Sequence, residues 1–134
     1  MNIVNEIKEA LAVLSIPEKA KFFPKFFKTG KWEYGEGDLF LGVTVPDQRT
    51  IAKQFYREIT LDDLSELIQN SYHEVRLTAL IALVYRYEKT QTDDGQKELA
   101  DFYLHHLDWV NNWDLVDTSS HAILGHFYWK KEKS

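Results

Sequence analysis

The sequence predicts an all-α fold, a short α-solenoid in which antiparallel helix pairs stack into a curve with a concave face. Apolar residues recur at helical spacing along nearly all of the 134 residues. The predicted helices form pairs at intervals of roughly 30–45 residues, which is typical of helical repeats. We therefore expect residues 1–134 to form a single helical-repeat domain, in which stacked pairs share one core and present a concave binding surface.

The first two helices are predicted to precede the glycine-rich part of the chain. One face of a helix over residues 2–14 collects four apolar side chains: Ile3, Ile7, Leu11 and Leu14. Pro17 suits the first turn of a second helix, because the N–H that proline lacks would have no partner there. This second helix should end near Gly30, and it carries Phe22, Phe23, Phe26 and Phe27.

The segment from Thr29 to Gly42 holds four of the six glycines and is expected to be the one long loop. The stretch from Leu39 to Val45 is the only candidate strand, and glycines flank it. Pro46 predicts the first position of a third helix. Asp47 is favourable beside it, because a carboxylate is stabilised near the positive end of the helix dipole.

The fourth and fifth helices form the most regular part of the pattern. Thr60 is expected to be the N-cap of the fourth, because Asp63 follows at the spacing of a capping box. The apolar stripe of this helix is Leu64, Leu67 and Ile68. Ser71 is predicted to cap the fifth helix, which is apolar almost all round over residues 79–84 and should therefore be central. Its fragment at 74–80 is similar to the helix start found in HEAT repeats.

Two further helices complete the predicted stack. Asp93 or Asp94 should open the sixth, because acidic residues favour the first turn of a helix. Its apolar residues are Leu99, Phe102 and Leu107. The seventh is expected to begin near Asn111 or Asn112 and to run past Leu124, before a charged tail that starts at Lys130.

Composition limits the classes of function and the compartment. The net charge of −5 counts against a general nucleic-acid binder unless cations cluster on one face, because phosphate neutralisation needs local positive charge. The absence of cysteine excludes disulfides, thiolate metal sites and thiol nucleophiles. No apolar run approaches the roughly 20 residues that a membrane span needs. No leader pattern opens the chain, so we expect a cytoplasmic protein with no membrane partner.

Trp113 and Asp117 are the first candidate for chemistry, since residues four apart share one helix face. An indole could stack on a sugar or base while the carboxylate stabilises positive charge. Cleavage of an N-glycosidic bond needs such a carboxylate, because the sugar gains oxocarbenium character as the base leaves. The alternative is structural, with Asp114 or Asp117 capping the helix and Trp113 packed inside.

Arg49, Lys53 and Arg57 are the second candidate, because a spacing of four and four would align them along one helix as a cationic ridge. Such a ridge suits the phosphates of a DNA backbone. The alternative is an exposed face whose cations form salt bridges within the helix. A third candidate is the lysine-rich second helix, including Lys28 beside Phe26, although lysines often flank a buried aromatic stripe.

Other signatures are weak or missing. Gly35 and Gly37 lack the spacing and the lysine of a phosphate-binding loop. The histidines do not follow a metalloprotease pattern, and we expect neither a metal nor a cofactor. Ser119 and Ser120 precede His121 without the strand–turn–helix setting of a hydrolase nucleophile.

Several motifs together resemble the AlkD-like DNA alkylation-repair glycosylases, a family built of HEAT-like repeats. The first runs from Phe26 to Lys31 and continues from Tyr34 to Val43, with Pro-Asp-Gln-Arg at 46–49. The second is Asn-Trp-Asp-Leu-Val-Asp at 112–117, which is similar to the family's Trp-Asp-x-Val-Asp motif. The helical hairpin at 72–88 also matches in style. The similarity covers essentially the whole chain.

The resemblance implies an enzyme that removes N3- and N7-alkylated purines from duplex DNA without a cofactor. It makes Asp117 the catalytic carboxylate and Trp113 the aromatic contact to the deoxyribose of the lesion. Phe26 is implied to stand at the position of a cleft tyrosine of the family, a departure that removes one hydroxyl. Arg49 and Lys53 are implied contacts to the DNA backbone.

The chain is shorter than typical members of this family, whose later repeats supply a second cleft tryptophan and an arginine. We therefore expect a truncated member, either a fragment or a shortened relative, with an incomplete cleft. This leaves two alternatives open beside the glycosylase. One is a non-catalytic helical-repeat module that binds DNA or protein. The other is self-association through an uncapped C-terminal end, because unpaired solenoid ends expose apolar surface.

Overall fold

The computed structural model describes residues 2–16, 39–110, 119 and 121–133. About 75% of these residues are helical and none lies in a strand, which confirms the predicted all-α class. The α-helices are α1 (Ile3–Val13), α2 (Val45–Phe55), α3 (Leu61–Ile68), α4 (His73–Lys89), α5 (Asp93–His105) and α6 (His126–Lys133). A 3-10 turn at Leu107–Trp109 follows α5, and a π-helical turn at His121–Gly125 leads into α6.

Side-chain caps start most of these helices where the sequence predicts a boundary. Thr60 and Asp63 form a complete capping box at α3, with reciprocal hydrogen bonds of 3.1 and 3.2 Å. The hydroxyl of Thr44 accepts from the backbone N–H of Asp47, and Pro46 lies in the first turn of α2. Thr92 caps α5, which begins at Asp93 as expected. These local signals determine the helix starts because each cap satisfies a backbone N–H that has no partner within the helix.

Helix α4 is the centre of the fold, as its apolar run predicts. Every side chain from Ala79 to Val84 is buried, and the helix contacts α1, α2, α3, α5 and the π-helical turn. The buried face of α1 is Val4, Ile7 and Leu11. The stripe of Leu64, Leu67 and Ile68 on α3 is fully buried, as expected. One apolar core therefore joins most of the described helices.

The start of α4 differs from the prediction of a Ser71 cap. Its N-cap is Tyr72, whose side chain makes no capping hydrogen bond. The backbone instead pairs with Leu39: Leu39 N–H donates to the Ser71 carbonyl at 3.2 Å, and His73 N–H donates to the Leu39 carbonyl at 2.8 Å. A distant segment thus satisfies the N–H that a serine hydroxyl was expected to satisfy. This contact is an isolated bridge, and the described residues contain no strand.

The C-terminal end also differs, because α6 continues through Lys133 where a charged tail was expected from Lys130. The ammonium of Lys130 contacts Asp93 at 2.5 Å and also binds Gln96, so it attaches α6 to the first turn of α5. Leu14 and Leu107, which were predicted to face the core, are 38% and 42% exposed.

The predicted second helix, with Phe26 and Lys28, lies outside the described residues. Where the structure is described, no helix combines the length and the apolar character needed to cross a membrane. The curvature of the stack stays a prediction.

Candidate nucleic-acid interface

Helix α2 has one face in the core and one face in solvent. Gln48, Ile51 and Ala52 are buried, and the helix packs against α4 and α1. Arg49 and Lys53 lie on the opposite, exposed side. The predicted spacing of four therefore does place these two cations together on one solvent face.

A buried hydrogen-bonded chain fixes how α2 lies on α4. The amide of Gln48 donates to the Val43 carbonyl at 2.9 Å, and the Thr78 hydroxyl donates to the amide oxygen of Gln48 at 3.4 Å. Both side chains are 1% exposed. Because a buried amide is costly unless its hydrogen bonds are made, this chain favours one position of α2 along α4.

Glu74 is the strongest polar anchor of this region. Its carboxylate accepts three backbone hydrogen bonds, from Leu41 at 2.9 Å, Gly42 at 2.7 Å and Val43 at 3.1 Å. Gly42 has a φ of 82°, in the left-handed region that glycine tolerates best. The carboxylate therefore holds a turn that leads directly into α2, and it does so from the first turn of α4.

The end of α1 holds the same turn from the other side. The Ile16 N–H donates to the Gly42 carbonyl at 3.1 Å, and the Ser15 hydroxyl donates to the Leu41 carbonyl. Residues 15–16 and 41–42 are therefore adjacent. This role of Glu74 is not visible in the sequence, because an acid in the first turn of a helix resembles an ordinary partner of the helix dipole.

Arg49 and Lys53 form no ion pair with any carboxylate of the described residues, so the alternative of a salt-bridged helix face is not found there. Arg57 does not extend their row along the helix as predicted. Helix α2 ends at Phe55 because the chain must reverse before the capping box at Thr60. The Arg86 guanidinium also donates to the Ile59 carbonyl and holds this reversal.

Arg57 therefore lies in a turn just beyond α2 and is held by its neighbour. Its guanidinium carbon lies 5.5 Å from the centre of the Tyr56 ring, and its Nε donates to the Tyr56 hydroxyl at 3.1 Å. The side chain remains exposed. It is a cation beside the exposed face of α2, although it is not on the helix.

Trp113 and Asp117 lie outside the described residues, so their predicted juxtaposition stays a prediction. The nearest described residues before and after this motif are buried. Val110 is 8% exposed, and Ser119 is fully buried, with its hydroxyl donating to that of Tyr103 at 2.8 Å. The chain is therefore buried at Val110, before the motif, and at Ser119, after it, where it contacts α5 through Tyr103.

The described histidines make structural contacts. Nε2 of His106 lies 2.8 Å from the Ser65 hydroxyl, which joins α5 to α3. Nδ1 of His126 lies 2.9 Å from the hydroxyl of Tyr87, whose pKa is raised by burial. No group of three or more metal-binding side chains occurs in the described part of the chain.

Comparison with known proteins identifies the family. A family model described as "DNA alkylation repair enzyme" matches residues 7–134. No curated protein and no solved structure matches the chain. The match includes both α2 and the motif at 112–117, so it agrees with the resemblance seen in the sequence. The chain belongs to the DNA alkylation repair enzyme family.

Proposed function

We propose that this member of a DNA repair family is a DNA-alkylpurine glycosylase. It would hydrolyse the N-glycosidic bond of N3- and N7-alkylated purines in duplex DNA. The observation that carries the proposal is the family match over residues 7–134, a range that contains both helix α2 and residues 112–117. Arg49 and Lys53 support it, because both are exposed and neither forms an ion pair with a described residue, and DNA binding needs accessible cations.

The proposed chemistry follows from the charge of the substrate. Alkylation at N3 or N7 leaves the purine positively charged, so its bond to C1′ breaks with the electron pair moving to the base. The base leaves neutral, and the sugar becomes an oxocarbenium-like cation. In this proposal the Asp117 carboxylate stabilises that cation, and water adds to C1′ and loses a proton to solvent. Trp113 would contact the deoxyribose of the lesion with its indole ring.

DNA binding is assigned to five residues in this proposal: Phe26, Lys28, Arg49, Lys53 and Arg57. The cations would contact phosphates, which hold the duplex without reading its sequence. The cytoplasmic location expected from the sequence is part of the proposal. The proposed reaction requires no metal or cofactor.

The test is release of 3-methyladenine and 7-methylguanine from methylated duplex DNA, measured by chromatography. We expect wild-type protein to release both bases and Asp117→Asn to lower the rate by about 10²–10³-fold, the usual effect of removing one electrostatic contact to a transition state. Asp108→Asn is the matched control, because Asp108 is an exposed carboxylate in the 3-10 turn after α5. Absence of release by wild type, or equal release by Asp117→Asn, would reject the glycosylase.

A non-catalytic DNA-binding module is the second candidate, and the exposed cations of α2 favour it independently of the motif at 112–117. Gel-shift assays at increasing salt would show it as salt-dependent duplex binding without base release. Indifference to DNA at low salt would instead favour a protein partner. Sedimentation at several concentrations tests the self-association expected from an uncapped end.

A further inference from the structure

A cavity of about 600 Å³ opens beside the cationic face of α2. One wall is formed by the last turn of α2 and the turn after it, with Lys53, Tyr56 and Arg57. The other wall is the last turn and a half of α4, with Tyr85, Glu88 and Lys89. The two tyrosine rings meet inside it, with centroids 5.8 Å apart at an angle of 59°. The cavity therefore joins two helices that the predicted cationic ridge did not connect.

The cavity is locally cationic in an acidic chain. Lys53, Arg57 and Lys89 line it with three positive charges, against two negative charges from Glu58 and Glu88. The described side chains that line it therefore total +1, whereas the whole chain carries −5. None of the three cations forms an ion pair within the described residues, so their charge remains accessible to a ligand.

The shape and charge of the cavity favour a polyanion over a compact anion. Lys53 and Lys89 are exposed, and both lie in the last turn of a helix, where the dipole does not favour a small buried anion. Two carboxylates would also repel a single enclosed phosphate. A duplex backbone avoids both problems, because it contacts several exposed cations at once and does not need to enter the protein. Arg49, one turn before Lys53, extends the row.

We propose that the phosphodiester backbone of duplex DNA lies along this cavity, with Lys89 of α4 contacting phosphate together with Lys53 of α2. Tyr56 holds the Arg57 guanidinium at the mouth and gives it a defined direction. This inference rests on the proposed function in one respect, since it takes DNA as the ligand. It adds a second helix, α4, to the interface, and with it Lys89.

The test is the salt dependence of binding to an undamaged, fluorescein-labelled duplex, followed by anisotropy. Each phosphate contact contributes about 0.9 to the slope of log affinity against log salt. Lys89→Ala is expected to make this slope about 0.9 less steep. The loss of affinity between about 50 and 200 mM salt is then about 3.5-fold smaller than in wild type. The double variant Lys53→Ala/Lys89→Ala should lower the slope by about 1.8.

Lys97→Ala is the matched control, because it removes the same charge from an exposed lysine on α5 whose ammonium is 2.8 Å from the Asp101 carboxylate. Its slope should equal that of wild type. An unchanged slope for Lys89→Ala, or equal losses for Lys89→Ala and Lys97→Ala, overturns the inference. If wild type nonetheless releases methylated bases, the proposed function survives that result. If wild type neither binds duplex nor releases bases, both are overturned.

Discussion

The Glu74 carboxylate should be among the most important polar groups for stability, and Glu74→Gln tests this with almost no change of shape. The side chain is 1% exposed and accepts N–H bonds of 2.9, 2.7 and 3.1 Å from three consecutive residues, 41–43. A glutamine amide has one acceptor oxygen. If that oxygen takes the position that Gly42 and Val43 share, the Leu41 N–H faces an amide NH₂ and loses its bond.

The expected loss can be worked from these contacts. Hydrogen bonds to charged groups contribute about 1.5–3 kcal/mol each, and neutral ones about 0.5–1.5 kcal/mol. Glu74→Gln removes one charge-assisted bond and converts two others to neutral bonds. Glutamine also avoids the cost of burying a charge, which offsets part of the loss. We therefore expect the free energy of unfolding to fall by about 3 kcal/mol.

Urea unfolding followed by tryptophan fluorescence and by far-ultraviolet circular dichroism measures this change. The control is Glu66→Gln on α3, an exposed glutamate, for which the change should stay within about 0.5 kcal/mol. If Glu74→Gln and Glu66→Gln unfold at the same urea concentration with the same slope, the carboxylate does not anchor the turn, and our account of how α2 is positioned is wrong.

Two further predictions concern the helix ends. Thr60→Ala removes the capping box of α3 and should lower the free energy of unfolding by about 1 kcal/mol in thermal or urea denaturation, whereas Thr50→Ala on the exposed face of α2 should have a much smaller effect. The Lys130 ammonium lowers the pKa of Asp93 through a hydrogen bond and its charge, so this contact stabilises the attachment of α6 above the unfolded-state pKa and is lost as pH falls through the folded-state pKa. Carboxyl chemical-shift titration by NMR should show the depressed pKa in wild type and a higher one in Lys130→Met; equal values would contradict the contact.

Sequence reasoning predicted the features that depend on neighbouring residues. The capping box at Thr60 spans three residues, and the apolar run of α4 lies within one helix, so each signal is complete in a short window. The face shared by Arg49 and Lys53 follows from helical spacing alone. The end of α2 before Arg57 was missed, because the four-residue spacing continues in sequence after the helix has stopped.

The features that sequence reasoning missed join residues far apart in the chain. Glu74 binds backbone groups 31–33 positions earlier, and Lys130 binds Asp93 at a separation of 37. The backbone at the start of α4 pairs with Leu39, and helices α2 and α3 lie between the two in the sequence. No local pattern encodes such a partner, since an acid near a helix start and a lysine near a helix end both resemble ordinary dipole partners.

The acidic total is compatible with the proposed DNA ligand because two of the described helices, α3 and α2, differ in the charge that they expose. Helix α3 carries three acids and no cation, including exposed Asp62 and Glu66 on one face. The exposed side of α2 carries Arg49 and Lys53, and the cavity beside it adds Lys89. In the proposed complex, α3 would repel a polyanion and α2 would attract it, which would orient the approach of the DNA. Net charge alone therefore does not exclude the proposed DNA ligand, and the position of α2, set by Glu74 and Gln48, determines where its two cations lie.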